Sequence, residues 1–312
     1  MSAPTWTAIT EFDMEVRAKK ALGQHFLTDQ RIARAIVDAL LLDWSEAMPA
    51  SAGRPAPGLS EKVGKGFKAA GGSGESYSPA VMEIGPGMGV LTQYLLERED
   101  IDLKLVEIDG ESVEYLLTHF AGMQGRLLQA DFLTLPLDRV FPGRFAVIGN
   151  FPYNISSQIF FKILDYRERI PEVVCMIQKE VAERIAEGPG SKTYGILSVL
   201  LQAWYDIEFL FGVGPGCFAP PPKVDSAVIR LTRNGRTSLG CDDKLFTSIV
   251  KTAFGQRRKM MRNPLKPFAK AKAQRESWSD DQLTAFLANP VFERRPETLS
   301  VEDFIALTNL LA

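Results

Sequence analysis

The chain has 312 residues, enough for about two domains at roughly 150 residues each. Its 46% hydrophobic and 24% charged residues are typical of a folded globular protein and exclude disorder of the whole chain. The formal net charge of −2 lacks the strongly basic signature that is expected of a nucleic-acid-binding protein.

Cysteine and histidine usage argues against a metal centre or a disulfide framework. The three cysteines lie far apart and only His25 and His119 accompany them, so no zinc-type ligand spacing is present and we expect no metal. The first twenty residues carry acidic side chains and no apolar core, which excludes a secretory signal. The longest apolar run, 196–205, is far shorter than the roughly 20 residues that a bilayer requires. We therefore expect a cytoplasmic protein without a membrane partner.

The N-terminal part of the chain predicts a basic lead-in over residues 1–44. Apolar residues from Ile32 to Leu40 recur at helical spacing, and Asp29 is placed to cap the N-terminus of that helix. Residues 45–79 are rich in Gly, Ser, Pro and Ala, and contain few large apolar side chains. Such a stretch buries too little apolar surface to offset its ordering entropy, so we predict a flexible insertion there.

From residue 80 onward, short apolar runs alternate with helical patterns. The apolar runs occupy residues 80–84, 103–108, 126–129, 145–148 and 173–177, and the helical patterns occupy 91–96, 113–117, 158–164 and 194–204. This alternation predicts an α/β fold with a parallel sheet that is buried on both faces. Two later runs, 207–211 and 227–231, flank a turn rich in Gly and Pro and predict a closing antiparallel hairpin.

The pattern changes again after the last predicted strand. From Asp242 onward the periodicity is helical and contains no strand signal. We therefore predict an α/β core at 80–232, to which 17–44 also belongs, and a small all-α domain at 233–312.

A glycine-rich turn follows the first strand of the predicted core, in the run Glu83-Ile-Gly-Pro-Gly-Met-Gly89. Glycines at 85, 87 and 89 allow the backbone to pass close under a ligand at the carboxyl end of the strand, where open α/β sheets bind theirs. The spacing is not the G-x-G-x-x-G of dinucleotide-binding proteins, which disfavours hydride transfer with a nicotinamide.

Acidic residues follow the next two strands. Glu107 lies about 20 residues past the glycines, where a carboxylate accepts hydrogen bonds from ribose hydroxyls. Asp131 follows the third strand, where its carboxylate can accept from an adenine amino group. The glycine turn, a carboxylate placed to bind ribose and a carboxylate placed to bind adenine together predict a site for S-adenosyl-L-methionine.

The fourth strand ends in Gly149-Asn-Phe-Pro-Tyr-Asn-Ile-Ser156. The run from Asn150 to Tyr153 resembles the catalytic motif of methyltransferases that act on exocyclic amino nitrogens, and the longer run resembles that of the ribosomal RNA adenine N6,N6-dimethyltransferases. The lone pair of an exocyclic amine is delocalised into the base, so the nitrogen attacks a methyl sulfonium poorly. We expect the side-chain oxygen of Asn150 and the backbone carbonyl of Phe151 to accept the two amine hydrogens, which lets the nitrogen become pyramidal. Pro152 would then fix the backbone and Tyr153 would stack on the base. The resemblance also implies that Asn150 contacts the cofactor.

Other segments resemble the same family and follow its order. Residues 20–27, Lys-Ala-Leu-Gly-Gln-His-Phe-Leu, resemble the family's segment over the methionine part of the cofactor, which implies contacts from His25 and Leu27. Further similar segments lie at 178–184, 194–198, 218–228 and 254–263. Two features depart from the family pattern: His25 stands where an Asn is usual, and the insertion at 45–79 is additional.

The resemblance is to the bacterial small-subunit branch, linked to kasugamycin sensitivity. It implies a Rossmann-like class I methyltransferase sheet with a helical RNA-binding C-terminal domain. It also implies methylation of N6 on two adjacent adenosines in the 3′-terminal hairpin loop of 16S rRNA, by a monomer acting on the immature small subunit during its biogenesis. Three alternatives stay open: an antibiotic-resistance-type large-subunit dimethyltransferase, a DNA adenine methyltransferase, and an assembly factor with secondary methylation.

Charge is distributed unevenly along the chain. Residues 223–275 contain 14 lysines and arginines and 3 aspartates, a local charge of +11, so the rest of the chain carries −13. Beside a motif for base methylation, this stretch predicts a phosphate-binding surface near the hinge between the domains. The predicted RNA-binding residues are Lys223, Arg257, Arg258, Lys259 and Arg262.

Overall fold

The computed structural model describes residues 16–19, 22–44 and 78–312. Most of the predicted insertion at 45–79, the start of the lead-in, and Lys20 and Ala21 of the segment 20–27 therefore lie outside the described residues. Within the described ranges, no helix combines the length and the apolar character needed to cross a bilayer.

A seven-stranded sheet forms the α/β part of the chain. The strands of the protein are β1 Phe26–Leu27, β2 Ala80–Ile84, β3 Asp102–Glu107, β4 Leu127–Gln129, β5 Phe145–Asn150, β6 Glu172–Gln178, β7 Tyr205–Val213, β8 Phe218–Ala219 and β9 Ser226–Arg233. Their order in the large sheet is β4-β3-β2-β5-β6-β9-β7, and neighbours from β4 to β6 are parallel. The predicted parallel sheet with an antiparallel hairpin is confirmed. A second, two-stranded antiparallel sheet joins β1 to β8, which the sequence did not predict.

Ten α-helices accompany these strands in the described part of the chain. They are α1 Gln30–Asp38, α2 Thr92–Leu96, α3 Gly110–His119, α4 Ser156–Asp165, α5 Lys179–Ala186, α6 Ile196–Gln202, α7 Asp243–Gly255, α8 Lys266–Arg275, α9 Asp280–Leu287 and α10 Val301–Leu311. The Asp29 side chain caps α1 as predicted, because its Oδ1 accepts from the amides of Arg31 at 2.9 Å and Ile32 at 3.3 Å.

The core of the sheet is apolar on both faces of its central strands. Consecutive residues that point to opposite faces are fully buried, among them Val81 with Met82 on β2 and Val147 with Ile148 on β5. Such double burial is typical of parallel sheets that are covered by helices. The parallel arrangement also brings the carboxyl ends of β2, β3, β4 and β5 to one edge of the sheet.

The chain divides into two compact units. The first comprises Met1–Ile177 and Phe211–Arg230, and the second comprises Gln178–Leu210 and Leu231–Ala312. Within the second unit, α5 packs on α6, and α6 packs on α7 and α10. Helix α6 joins this unit because it is apolar almost all round and packs against α7 and α10, while the predicted domain boundary at 233 stays a prediction.

Candidate active site

A cavity of about 260 Å³ lies at the edge where β2 to β5 end. Its walls are formed by residues 22–27, 83–88, 90–91, 106–108, 130–133 and 150–155. The lining includes every residue predicted to bind the cofactor or to act in catalysis, namely His25, Leu27, Gly85, Gly87, Glu107, Asp131, Asn150, Pro152 and Tyr153. Residues separated by up to 128 positions in the sequence thus meet at one site.

Gly85 and Gly87, in the turn after β2, differ in how much space surrounds them. Both have backbone angles in the left-handed region, with φ of 65° at Gly85 and 56° at Gly87. A Cβ atom at Gly85 would meet nothing within 4 Å, so this position leaves open space. A Cβ atom at Gly87 would lie 2.8 Å from the ring of Phe26. Gly87 is therefore needed to seat residues 22–27, the covering segment, which line the cavity.

The Glu107 carboxylate is buried and joins the glycine turn to the start of α3. Its Oε2 accepts from the Gly87 amide at 3.1 Å, and its Oε1 accepts from the amides of Ile108 and Asp109 at 2.8 and 2.9 Å. Burial raises the pKa of this carboxyl, while the three amide donors act in the opposite direction. A carboxylate oxygen accepts more than one hydrogen bond, so Oε2 keeps acceptor capacity for a ligand hydroxyl.

Glu83 lies beneath the glycine turn and was not selected from the sequence. Its side chain is 1% exposed and accepts a hydrogen bond of 2.7 Å from the Thr92 hydroxyl. Burial, with a smaller contribution from nearby Glu107, raises the pKa of Glu83 to about 8. An acidic residue inside the apolar run of β2 was the available signal, because a charged group on a doubly buried strand requires a specific environment.

Asp131 lies in a tight turn after β4. Its Oδ1 accepts from the Leu133 amide at 2.8 Å, which orders the turn. The Lys162 ammonium on α4 donates to the carbonyls of Phe132 and Leu135. These contacts hold the turn that lines the cavity at the end of β4, two strands away from β2 and three from β5, which ends at Asn150.

Asn150 is fixed by the segment that crosses the cavity. Its Nδ2 donates to the main-chain carbonyl of His25 at 2.9 Å. A carbonyl oxygen only accepts hydrogen bonds, so the amide must present its nitrogen to His25. The Oδ1 atom of Asn150 is therefore left as an acceptor for another group.

Tyr153 is held by two side chains from other parts of the chain. Its ring stacks on that of His25 with centroids 5.4 Å apart, and its hydroxyl contacts the Ser226 hydroxyl. Burial raises the pKa of the Tyr153 phenol, which keeps it neutral. The His25 Nδ1 lies 2.9 Å from the carbonyl of Pro220, so this nitrogen carries the proton. Sequence reasoning missed Ser226.

Lys19, just before the covering segment, forms ion pairs with residues at the start of α3. The Lys19 ammonium contacts the carboxylates of Asp109 and Glu111, and the Lys19 amide donates to Gln24 Oε1 at 2.8 Å. Burial alone would raise the pKa of Asp109, but hydrogen bonds from Lys19 and Ser112 outweigh it and hold the pKa below its ordinary value. The covering segment is thus tied to α3 on one side and to Asn150 on the other.

The predicted RNA-binding residues belong to both units. Lys223 is exposed in the first unit, and Arg258, Lys259 and Arg262 are exposed in the second. Arg257 differs from them, because it donates to the carbonyl of Ser191 at 3.0 Å and lies 5.9 Å from the Phe254 ring centroid. Their contact with RNA stays a prediction.

Two solved structures share this fold. A dimethyladenosine transferase from Plasmodium falciparum superposes with a TM-score of 0.60 at 24% identity, covering 74% of this chain and 88% of that one. The 23S rRNA methyltransferase ErmE superposes with a TM-score of 0.57 at 23% identity, covering 92% and 99%. The strand order, the glycine turn and these likenesses define the fold of the class I S-adenosyl-L-methionine-dependent methyltransferases.

Sequence comparison gives the family. The model of the ribosomal RNA adenine dimethylase family matches residues 15–289, and the chain belongs to this family. It is 52% identical to Ribosomal RNA small subunit methyltransferase A of Parabacteroides distasonis, over 94% of this chain and 93% of the relative. It is 49% identical to the protein of the same name in Cytophaga hutchinsonii, over 96% and 98%. The resemblance stated from the motifs is confirmed.

The chain is therefore an enzyme that uses S-adenosyl-L-methionine, as the strand-end residues predicted. The residues of the cavity fit this cofactor. Gly85 leaves open space beside the turn, Glu107 retains acceptor capacity, and Asp131 lies at the next strand end.

Proposed function

We propose that this chain transfers methyl groups to N6 of two adjacent adenosines in the 3′-terminal hairpin loop of 16S rRNA, within the immature small ribosomal subunit. Relatives at about 50% identity that bear the name of a small-subunit methyltransferase support this substrate. The observation that carries the chemistry is the hydrogen bond from Asn150 to the His25 carbonyl, which leaves the amide oxygen as an acceptor at the cavity.

Asn150 makes the target nitrogen nucleophilic. Its Oδ1 and the main-chain carbonyl of Phe151 accept the two amine hydrogens, so the nitrogen becomes pyramidal and its lone pair leaves the ring system. Pro152 restricts the backbone between these two acceptors, since its ring fixes φ. No strong base is required, because the amine becomes acidic only after it has gained the methyl group.

The cofactor is held by the remaining walls of the cavity. Bound S-adenosyl-L-methionine supplies a methyl group on a positively charged sulfur. Glu107 accepts from the ribose hydroxyls, Asp131 accepts from the adenine amino group, and Gly85 lets the backbone approach. His25 and Leu27, on the covering segment, contact the methionine part.

The RNA substrate must present an unstacked base. Adenines in single-stranded loops leave their stack at low cost, and Tyr153 offers a replacement stacking partner. Exposed basic residues, including Lys223 and Arg258, bind phosphates and position the RNA without reading its sequence. The enzyme acts as a monomer in the cytoplasm, with a role in small-subunit biogenesis.

The test is to incubate the protein with labelled S-adenosyl-L-methionine and unmethylated small or large ribosomal subunits, and to map the modified bases. The proposal expects dimethylation of two adjacent adenosines near the 3′ end of the small-subunit rRNA. Label on large-subunit rRNA alone would overturn the substrate assignment. A duplex DNA with unmodified adenines serves as the control for a DNA methyltransferase, and it should remain unlabelled.

A further inference from the structure

Ser226 reaches the catalytic motif from a distant strand. It is the first residue of β9, it is fully buried, and its hydroxyl contacts that of Tyr153 across 73 positions of sequence. β9 belongs to the sheet itself, with its neighbours β6 and β7 on either side. Ser226 is therefore a rigid point of attachment for the tyrosine.

The Tyr153 ring is restrained in two ways. The Ser226 contact fixes the hydroxyl end of the side chain, and the stacked His25 ring supports its aromatic surface. His25 is in turn anchored to the carbonyl of Pro220, six residues before Ser226. Segments 25–27 and 218–226 thus hold the same side chain, and β1 and β8 pair them through the backbone.

We infer that Ser226 is a positioning residue that fixes the Tyr153 ring in the orientation required to stack on the target adenine. The inference rests on the proposed function, since it assigns the role of Ser226 to the base-stacking step. A tyrosine held before the base arrives does not have to be ordered during binding, so more of the bound adenine lies in the reactive position. Ser226 does not touch the reacting atoms and does not line the cofactor cavity.

The inference predicts a specific pattern of kinetic changes. Ser226→Ala should lower kcat for methyl transfer by about tenfold, the effect of one lost hydrogen bond at an aligned site. Affinity for S-adenosylhomocysteine, measured by calorimetry, should remain within about twofold of the wild type, because the cofactor site is unaltered. Tyr153→Phe removes the same hydroxyl contact while it keeps the ring, and should lower kcat by a similar factor.

A double-mutant cycle separates this role from a general structural one. If both substitutions remove the same contact, the kcat of the double variant Ser226→Ala/Tyr153→Phe should lie within about twofold of the kcat of either single variant. Ser198→Ala is the matched control, because Ser198 is also fully buried and its hydroxyl is also hydrogen-bonded, donating to the carbonyl of Arg184 and accepting from the amide of Gly195 in the second unit. Melting temperatures of all variants show whether each is folded, and the control should keep the wild-type kcat.

The assay is run on whichever ribosomal subunit the wild-type protein methylates. Methylation of large subunits alone would refute the proposed substrate, yet the cycle would still be measurable there. Wild-type kcat in folded Ser226→Ala, or losses that multiply in the double variant, would overturn the role of Ser226 while the proposed function stands. A protein that methylates neither subunit would overturn both.

Discussion

The side-chain amide of Asn150 and the main-chain carbonyl of His25 are joined by a hydrogen bond of 2.9 Å, although the two residues are 125 positions apart. The bond determines which end of the amide faces the cavity. The segment over the cofactor cavity therefore also orients the residue that we propose to activate the target nitrogen.

Replacement of Asn150 separates catalysis from cofactor binding. We expect Asn150→Ala to lower methyl transfer by at least about 100-fold, because the acceptor for an amine hydrogen is lost. Binding of S-adenosylhomocysteine should change little, since the other cavity walls are intact. Asn150→Asp is the matched variant, which keeps an oxygen but sets a carboxylate against the His25 carbonyl, and it should also be slow. Near-normal turnover of the alanine variant on immature small subunits would refute the mechanism.

Replacement of Glu107 should weaken the affinity for the cofactor. Its three amide donors fix the carboxylate at the end of β3, so we expect Glu107→Ala to weaken S-adenosyl-L-methionine binding by about 10- to 100-fold. Glu107→Gln should also weaken binding, because one acceptor oxygen becomes a donor that faces a backbone amide. Calorimetry measures both. Exposed Glu114 on α3 provides the control, and an affinity for Glu107→Ala equal to that of Glu114→Gln would remove Glu107 from the site.

Stability should depend on pH through Glu83. The folded state raises the pKa of Glu83 from 4.5 to about 8, so it favours the protonated carboxyl. The free energy of unfolding therefore falls as pH rises from about 4.5 to 8, since ionisation is easier in the unfolded chain. Glu83→Gln lacks this titration and should gain stability relative to the wild type over that range. Urea unfolding at pH 5 and pH 8 tests the prediction, and a stability difference that does not change with pH would contradict it.

The exposed arginines should differ from Arg257 in their effects. We expect Arg258→Ala to weaken RNA binding at low salt and to reduce the slope of log affinity against log salt by about 1, without changing the melting temperature. Arg257→Ala should also lower the melting temperature, because Arg257 donates to the Ser191 carbonyl. Filter binding across a salt series and thermal unfolding measure these effects. Exposed Arg126, outside the basic stretch, is the control, and an equal salt slope for Arg258→Ala and Arg126→Ala would exclude the phosphate contact.

Local signals in the sequence determined the regular elements of the sheet and the ends of its strands. The run 80–84 predicts a strand because it is largely apolar and stops at a glycine. Asp29 is predicted to cap a helix because it precedes apolar residues at helical spacing, and its carboxylate does accept from the amides two and three residues further on. Once parallel order follows from the alternation, the strand-end residues Gly85, Glu107, Asp131 and Asn150 must share one edge. That is why the meeting of these four residues at one cavity was predictable from one sequence.

Tertiary structure decided the contacts that join distant segments. Three such contacts produce no periodic pattern in the sequence, because each depends on how separate elements pack. They are the pairing of β1 with β8, the hydrogen bond from Asn150 to His25, and the contact between Tyr153 and Ser226. The protonation of Glu83 has the same origin, since its pKa reflects burial by neighbouring elements. The sequence alone thus determined which chemical groups reach the active site, whereas packing determined how those groups are oriented and whether they are charged.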